Sequence, residues 1–205
     1  MLLQLFPNSI NTKSIQQIVE ALEKDGVIII PTDTVYAFAC SLQSRKAFER
    51  ICRLKGVKPE KAHFSLLCYD LSHISDFTKP FDTAIFRLMK NSLPGPFTFI
   101  LNASSSVPEI FRWNKKTIGI RVPDNNIART IVNELGHPLI VTSVHDADQT
   151  VDYTTDPDII DEQFANDVDI VVDGGPGEFT PSTIIDCTGS QPVIIREGKG
   201  RVEEV

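Results

Sequence analysis

Val27-Ile28-Ile29-Ile30 is a run of four β-branched residues that stops abruptly at Pro31-Thr32-Asp33-Thr34-Val35-Tyr36. No polar residue marks an outward side, so the strand is expected to be buried on both faces, inside a sheet with packed layers above and below it. A chain of 205 residues is long enough to build such a core as one medium domain, residues 1–205. Seven further apolar segments predict strands: 64–69, 97–101, 117–122, 138–143, 168–173, 182–187 and 192–197.

Helical periodicity fills the intervals. Ile15, Ile18, Val19 and Leu22 recur at helical spacing and predict a helix over 13–24, capped by Thr12 or by a Ser14/Gln17 capping box. Ala47, Phe48, Ile51 and Leu54 predict an inward face over 44–54, and Ile85, Leu88 and Met89 one over 82–92. Shorter helical patterns stand at 72–77 and 107–112, and a longer one over 125–135 ends at Gly136. Helices and strands alternate early and strands cluster late, which gives the α/β (α+β) class with one twisted mixed sheet flanked by helices. The last three strands lack helical crossovers, which argues against a simple doubly wound sheet.

Charge and composition exclude several functions. The net charge of −7 argues against a general nucleic-acid coat protein. The charge is uneven, though: residues 45–61 hold seven Lys/Arg, whereas 145–173 hold ten acids and no Lys or Arg. Such asymmetry fits a local anion site or two differently solvated faces. No apolar run approaches the eighteen residues of a membrane span, and the first residues, MLLQLFPNSI, lack the basic start of a signal peptide. Cys40, Cys52, Cys68 and Cys187 form no CxxC pair and lie in apolar surroundings, as reduced, partly buried thiols of a cytoplasmic protein would. His63, His73, His137 and His145 lack metal-ligand spacing, so no metal site is assigned. Neither a Walker-type loop nor a GxGxxG after a strand occurs, and Ser143 near His145 lacks the GxSxG context of a nucleophile. Asp173-Gly174-Gly175-Pro176-Gly177 reads as a turn that lets the chain pass close to another element.

Several strands end alike, in a compact polar cluster. Val27–Ile30 runs into Thr32-Asp33-Thr34, 117–120 into Arg121, 138–141 into Thr142-Ser143, and 192–195 into Arg196. Ligands of sheet proteins gather beyond strand ends. The set of Thr32, Thr34, Tyr36, Lys55, Lys58, Arg121, Ser143, Ser182 and Arg196 is rich in hydroxyls and cations and suits a polyanion. Taken singly, these residues also read as turn caps, helix-end cations or surface ion-pair partners. Asp33 is expected to cap local amides rather than act as a base.

The ordered motifs PTDTVYA (31–37), KGVKP (55–59), PGPFT (94–98), IRVP (120–123), TSVH (142–145), DGG (173–175), PSTIID (181–186) and IREG (195–198) resemble those of the YrdC-like family, closest to its YciO branch, over about residues 10–200. The resemblance implies a concave basic cavity and a threonylcarbamoyl-AMP synthase reaction: ATP, L-threonine and bicarbonate give threonylcarbamoyladenylate and pyrophosphate, for tRNA modification. It implies catalytic roles for Lys55 and Lys58. Nucleotide contacts would come from Thr34, Lys55, Lys58, Arg121, Ser143, Ser182 and Arg196, and Thr32, Thr34 and Tyr36 would line the amino-acid end. Magnesium would accompany the triphosphate without identified protein ligands. The alternative is a protein that binds double-stranded RNA or tRNA and keeps the cavity with little synthase activity. A monomer or weak dimer without membrane contact is expected. The chain departs from the family pattern at Ala37, Lys58, Cys68 and His145, and Val57 is an added residue.

Overall fold

In a computed structural model of the chain, residues 1–112, 116–144 and 155–201 are described. Ten strands among them form one sheet: β1 (Leu2–Gln4), β2 (Ile28–Ile30), β3 (Ala37–Ser41), β4 (Ser65–Leu67), β5 (Phe97–Asn102), β6 (Thr117–Arg121), β7 (Leu139–Ser143), β8 (Ile170–Asp173), β9 (Thr183–Asp186) and β10 (Val193–Arg196). Their order across the sheet is β1-β8-β2-β3-β7-β4-β6-β5-β9-β10. Parallel pairs (β2/β8, β4/β6, β5/β9) are interleaved with antiparallel ones (β2/β3, β3/β7, β5/β6), so the sheet is mixed, as expected.

β2 lies deep in this sheet and is fully buried. Ile29 belongs to one core, and Ile28 and Ile30 belong to the other, because successive side chains of a strand point to opposite faces. α1 (Thr12–Glu23) and α5 (Asn126–Leu135) cover the Ile28/Ile30 face with Ile15, Ile18, Leu22, Ile127 and Ile131. The opposite face carries α2 (Arg45–Leu54), α3 (Ile74–Phe77), α4 (Thr83–Ser92) and α6 (Pro157–Phe164), through Phe48, Ile51, Ile74, Ile85, Met89 and Ile160. Burying each such side chain contributes about 1.5–3 kcal/mol.

Three elements escaped the sequence reading. β3 is AFACS, buried throughout but mostly small residues, with neither alternation nor a β-branched run. β1 is three residues long. α6 opens on an Asp156 cap with Pro157 in its first turn, a start signal masked by the surrounding acids. The cap of α1 is Asn11, whose side chain accepts from the Lys13 amide; neither Thr12 nor the Ser14/Gln17 box serves. At the outer margin, β10 pairs only with β9, its register shifts between Ile194 and Arg196, and Val193, Ile194 and Ile195 remain exposed.

The four described cysteines are buried and free. The glycine turn after β8 makes the close approach expected of it. A Cβ on Gly174 would stand 2.6 Å from Pro31 Cγ, and one on Gly177 would stand 2.7 Å from Tyr36 Cδ2. Gly175 itself has φ +89. The Tyr36 hydroxyl donates to the Gly175 carbonyl at 2.7 Å and accepts from the Gly174 amide at 3.2 Å. Burial pushes the Tyr36 phenol up from its ordinary 10.0 to about 12. The neutral form is therefore favoured by folding, and its contribution is full below the unfolded pKa and lost as pH rises through the folded one. Tyr36→Phe, which strands the Gly175 carbonyl, is expected to cost about 1–3 kcal/mol in denaturant unfolding. The same variant should lose the latest-ionising phenolate component of an alkaline absorbance titration, the one near pH 12.

Candidate functional site

Pro31–Tyr36 connects the antiparallel neighbours β2 and β3 and is therefore fixed at both ends by the sheet. Within it the Thr32 hydroxyl donates to the Val35 carbonyl at 2.8 Å and accepts from the Thr34 amide at 3.0 Å. Thr32 thus caps the turn, and Asp33 is released for other work. This corrects the expectation that Asp33 caps local amides. Its Oδ2 accepts from the Asp124 amide, just past β6, at 3.0 Å, and its Oδ1 from Nη2 of Arg121, the last residue of β6, at 3.1 Å. The same Arg121 Nη2 donates to the Thr34 hydroxyl at 3.0 Å.

Arg121 is only 7% exposed, and its buried Nε has no hydrogen-bond partner. Desolvation lowers its pKa, Asp33 opposes that fall, and the nearby Arg196 guanidinium adds to it. Arg196, on β10, is half-buried, and burial lowers its pKa as well. It donates to the Ser182 carbonyl through Nη2 at 2.8 Å and Nε at 3.3 Å. No carboxylate pairs with it among the described residues. Register brings β5 beside β9, so the buried hydroxyls of Thr98 and Ser182 meet at 2.8 Å. Gly198 permits the chain after β10 to close over this point, since a Cβ there would stand 2.3 Å from the Pro181 carbonyl oxygen.

Arg121, Arg196, Thr34, Ser143 and Ser182 therefore line one cavity of about 100 Å³, together with His63, Ser65, Thr98 and Thr142. Among the described residues its lining contains no carboxylate. Two guanidiniums, one with an orphaned buried N–H, face five hydroxyl-bearing side chains besides Ser143, a donor set made for an oxyanion. Thr32 and Asp33 line an adjoining hollow of about 370 Å³ with Asp124, Glu178 and Lys199. Lys199 Nζ closes one side by donating to the Asp33 carbonyl at 2.8 Å and pairing with Glu178 at 3.0 Å. Tyr36 stands apart from both, with its hydroxyl held by the glycine turn.

Lys55 and Lys58 are not among the residues lining the cavity. Lys55 is the C-cap of α2, just past Leu54, and Gly56, at φ +62, reverses the chain there. The Gly56 and Val57 amides bond back to the Arg53 and Cys52 carbonyls, so the added Val57 is part of a regular helix stop. Lys58 is exposed at the start of the next turn. His145 lies outside the described residues.

His63, Ser65, Thr98 and Thr142 were missed as lining residues. Thr98 and Thr142 sit inside PGPFT and TSVH, so the motifs carried the signal; Ser65 and His63 carried none. Two roomier hollows, of about 460 and 570 Å³, share Phe77 and His137 and gather none of the predicted site residues. Among the described residues no group of three or more His, Cys, Asp or Glu is placed to hold a metal ion, and no helix is long and apolar enough to cross a membrane.

Three of the seven cations of the basic run form ion pairs. Arg45 pairs with Glu49, Lys46 with Asp25, and Arg50 with Asp169 at 2.7 Å. The last pair joins the basic run to the acidic segment.

Comparison with known proteins places this geometry. The YciO protein of Escherichia coli K12, itself named as uncharacterized, is 39% identical over 201 residues, covering 97% of this chain and 96% of that one. Its crystal structure superimposes with a TM-score of 0.90 over 99% of this chain and 98% of its own. A threonylcarbamoyl-AMP synthase of Bacillus subtilis is 28% identical over 96% of this chain and 57% of its own length. Sua5 of P. abyssi, solved with L-threonine, has the same fold at 23% identity and a TM-score of 0.88, over 97% of this chain and 57% of that one. The family model described as "Telomere recombination" matches residues 20–198, and the chain belongs to that Sua5/YciO/YrdC family.

Proposed function

We propose that the chain is an ATP-dependent synthase of the threonylcarbamoyl-AMP type, whose Arg121/Arg196 cavity holds an anionic group of the reactants. The observation that carries this reading is the buried guanidinium of Arg121, with its unpartnered Nε, in a cavity lined, among the described residues, by hydroxyls and a second arginine but no carboxylate. Support also comes from the synthase name of the Bacillus subtilis relative and from the L-threonine bound by Sua5 of P. abyssi. A volume of about 100 Å³ takes a phosphoryl or carboxylate group, not a whole nucleotide, so the rest of the ligand extends out of it.

The reaction needs no protein nucleophile. The amine of threonine attacks bicarbonate to give a carbamate and water, a carbamate oxygen attacks the α-phosphorus of ATP, and the bond to pyrophosphate breaks. The protein's part is to position the reactants and neutralise charge. Arg121 and Arg196 supply fixed N–H donors, Thr34, Ser143 and the Thr98/Ser182 pair supply neutral ones, and Lys55 and Lys58, on the connection after α2, would have to reach the part of the ligand that extends out of the cavity. Magnesium would be carried by the phosphates of the nucleotide. Lysine at 58 in place of the family's arginine gives a point charge instead of a planar fork, which weakens bidentate recognition.

RNA binding has thinner support, because Arg45, Lys46 and Arg50 are already paired with carboxylates. It would show as affinity for duplex RNA that falls steeply with salt.

Incubation with ATP, L-threonine and bicarbonate is expected to release pyrophosphate and form threonylcarbamoyladenylate, while absence of both beside an active synthase control overturns the reading. Lys55→Ala should lower kcat/KM by roughly a hundredfold with little change in Tm, the scale seen when one charge-stabilising donor is removed. ATP should raise the Tm of the wild type, and Arg121→Met should abolish that rise.

A further inference from the structure

Asp33 is buried with Arg121, yet it does not line the anion cavity. Its carboxylate reaches Arg121 from the adjoining hollow, with side-chain exposures of 7% for Asp33 and 9% for Arg121. Both of its oxygens are committed, Oδ1 to Arg121 Nη2 and Oδ2 to the Asp124 amide. Arg121 Nη2 is in turn shared between Asp33 and Thr34, so the guanidinium is clamped by one edge. Its Nε is buried and has no hydrogen-bond partner among the described residues.

The charges around the cavity sum simply. Arg121 and Arg196 bring two positive charges and Asp33 one negative charge. Of the other described ions nearby, Lys199 and Glu178 pair with each other at 3.0 Å, and Asp124 in the adjoining hollow is exposed to solvent. His63 in the cavity wall is exposed to solvent. Among the described residues, the buried and half-buried groups sum to one positive charge, in a space that holds one oxyanion group.

Resting on the anion-site reading above, we propose that Asp33 is a positioning residue that sets the charge class of the ligand group. By clamping Arg121 and cancelling one of the two guanidinium charges, it tunes the cavity to a singly charged oxyanion, such as a carboxylate or an internal phosphodiester, and against a doubly charged terminal phosphate. Within a synthase cycle such a site retains the carbamate or the α-phosphoryl group and lets the more highly charged pyrophosphate leave.

The test compares sulfate with methanesulfonate, which share a tetrahedral shape and differ by one charge, by calorimetric titration at constant ionic strength. The wild type should bind methanesulfonate at least as tightly as sulfate. Asp33→Asn removes the charge, and it should move the affinity ratio toward sulfate by roughly tenfold, the size of one added unit charge at short range in a partly screened site. Asp33→Glu keeps the charge and should leave the ratio within about twofold of wild type. A ratio unchanged in Asp33→Asn, or a wild type that favours sulfate several-fold, overturns the proposal while leaving the anion site standing. Binding of neither anion by the wild type overturns both. Asparagine turns an amide donor toward either Arg121 or the Asp124 amide, so if that variant does not fold, Asp33→Ser is read in the same way.

Discussion

A guanidinium taken out of water must find its counter-charge inside the fold, and much of this molecule is arranged around meeting that condition for Arg121. β6 delivers the side chain at its last residue, and the connection between β2 and β3 supplies both the carboxylate of Asp33 and the hydroxyl of Thr34. Removing one partner of such a buried pair commonly costs about 3–5 kcal/mol, because the other charge stays behind unpaired. That penalty explains why the turn after β2 has an acid at its centre and why Thr32 takes over the local capping. Through the Asp33 carbonyl and Lys199 the same node reaches the chain beyond β10, so three sequence-distant segments meet at one ion pair.

Layering follows from a separate constraint. β2 has no polar side, so helices had to cover both faces of the sheet, and the residues that leave the sheet had to do so at its ends. Polar groups collect there because only strand ends free backbone and side chains from the two cores. The uneven charge of the sequence has a partly structural cause as well. Arg50 spans from α2 to Asp169 just before β8 and also donates to the Asp167 carbonyl, which fastens a helix to the edge of the sheet beneath it.

Apolar runs and helical periodicity revealed most of the fold, because long elements bury enough side chains to leave a pattern. β3 left none: Ala37, Ala39 and Ser41 are small because the strand is sandwiched, and smallness has no period. In the cavity, Thr34, Arg121, Ser143, Ser182 and Arg196 were legible as strand-end residues. Thr98 and Ser65 were harder, since they sit within strands and gain a role only through pairing register. The contact of Thr98 with Ser182, 84 residues apart, exists because β5 and β9 lie side by side with Thr98 opposite Ile184. Lys55 and Lys58 were grouped with the cavity by their charge and by the KGVKP motif, but the turn at Gly56 sets them on a connection that contributes His63 to the wall instead.

One of the two guanidiniums rides on the outermost strand. β10 has a single neighbour, a register shift before Arg196, and three aliphatic side chains in solvent, so it is a lightly packed wall of the cavity. Peeling that strand is a low-cost opening of the sheet, and it withdraws Arg196 from the cavity without disturbing the clamp on Arg121. On the proposed anion site, fraying and vacancy would be coupled by mass action: an anion bridging the two arginines would hold the margin closed, and amide protons at the edge would become a register of occupancy.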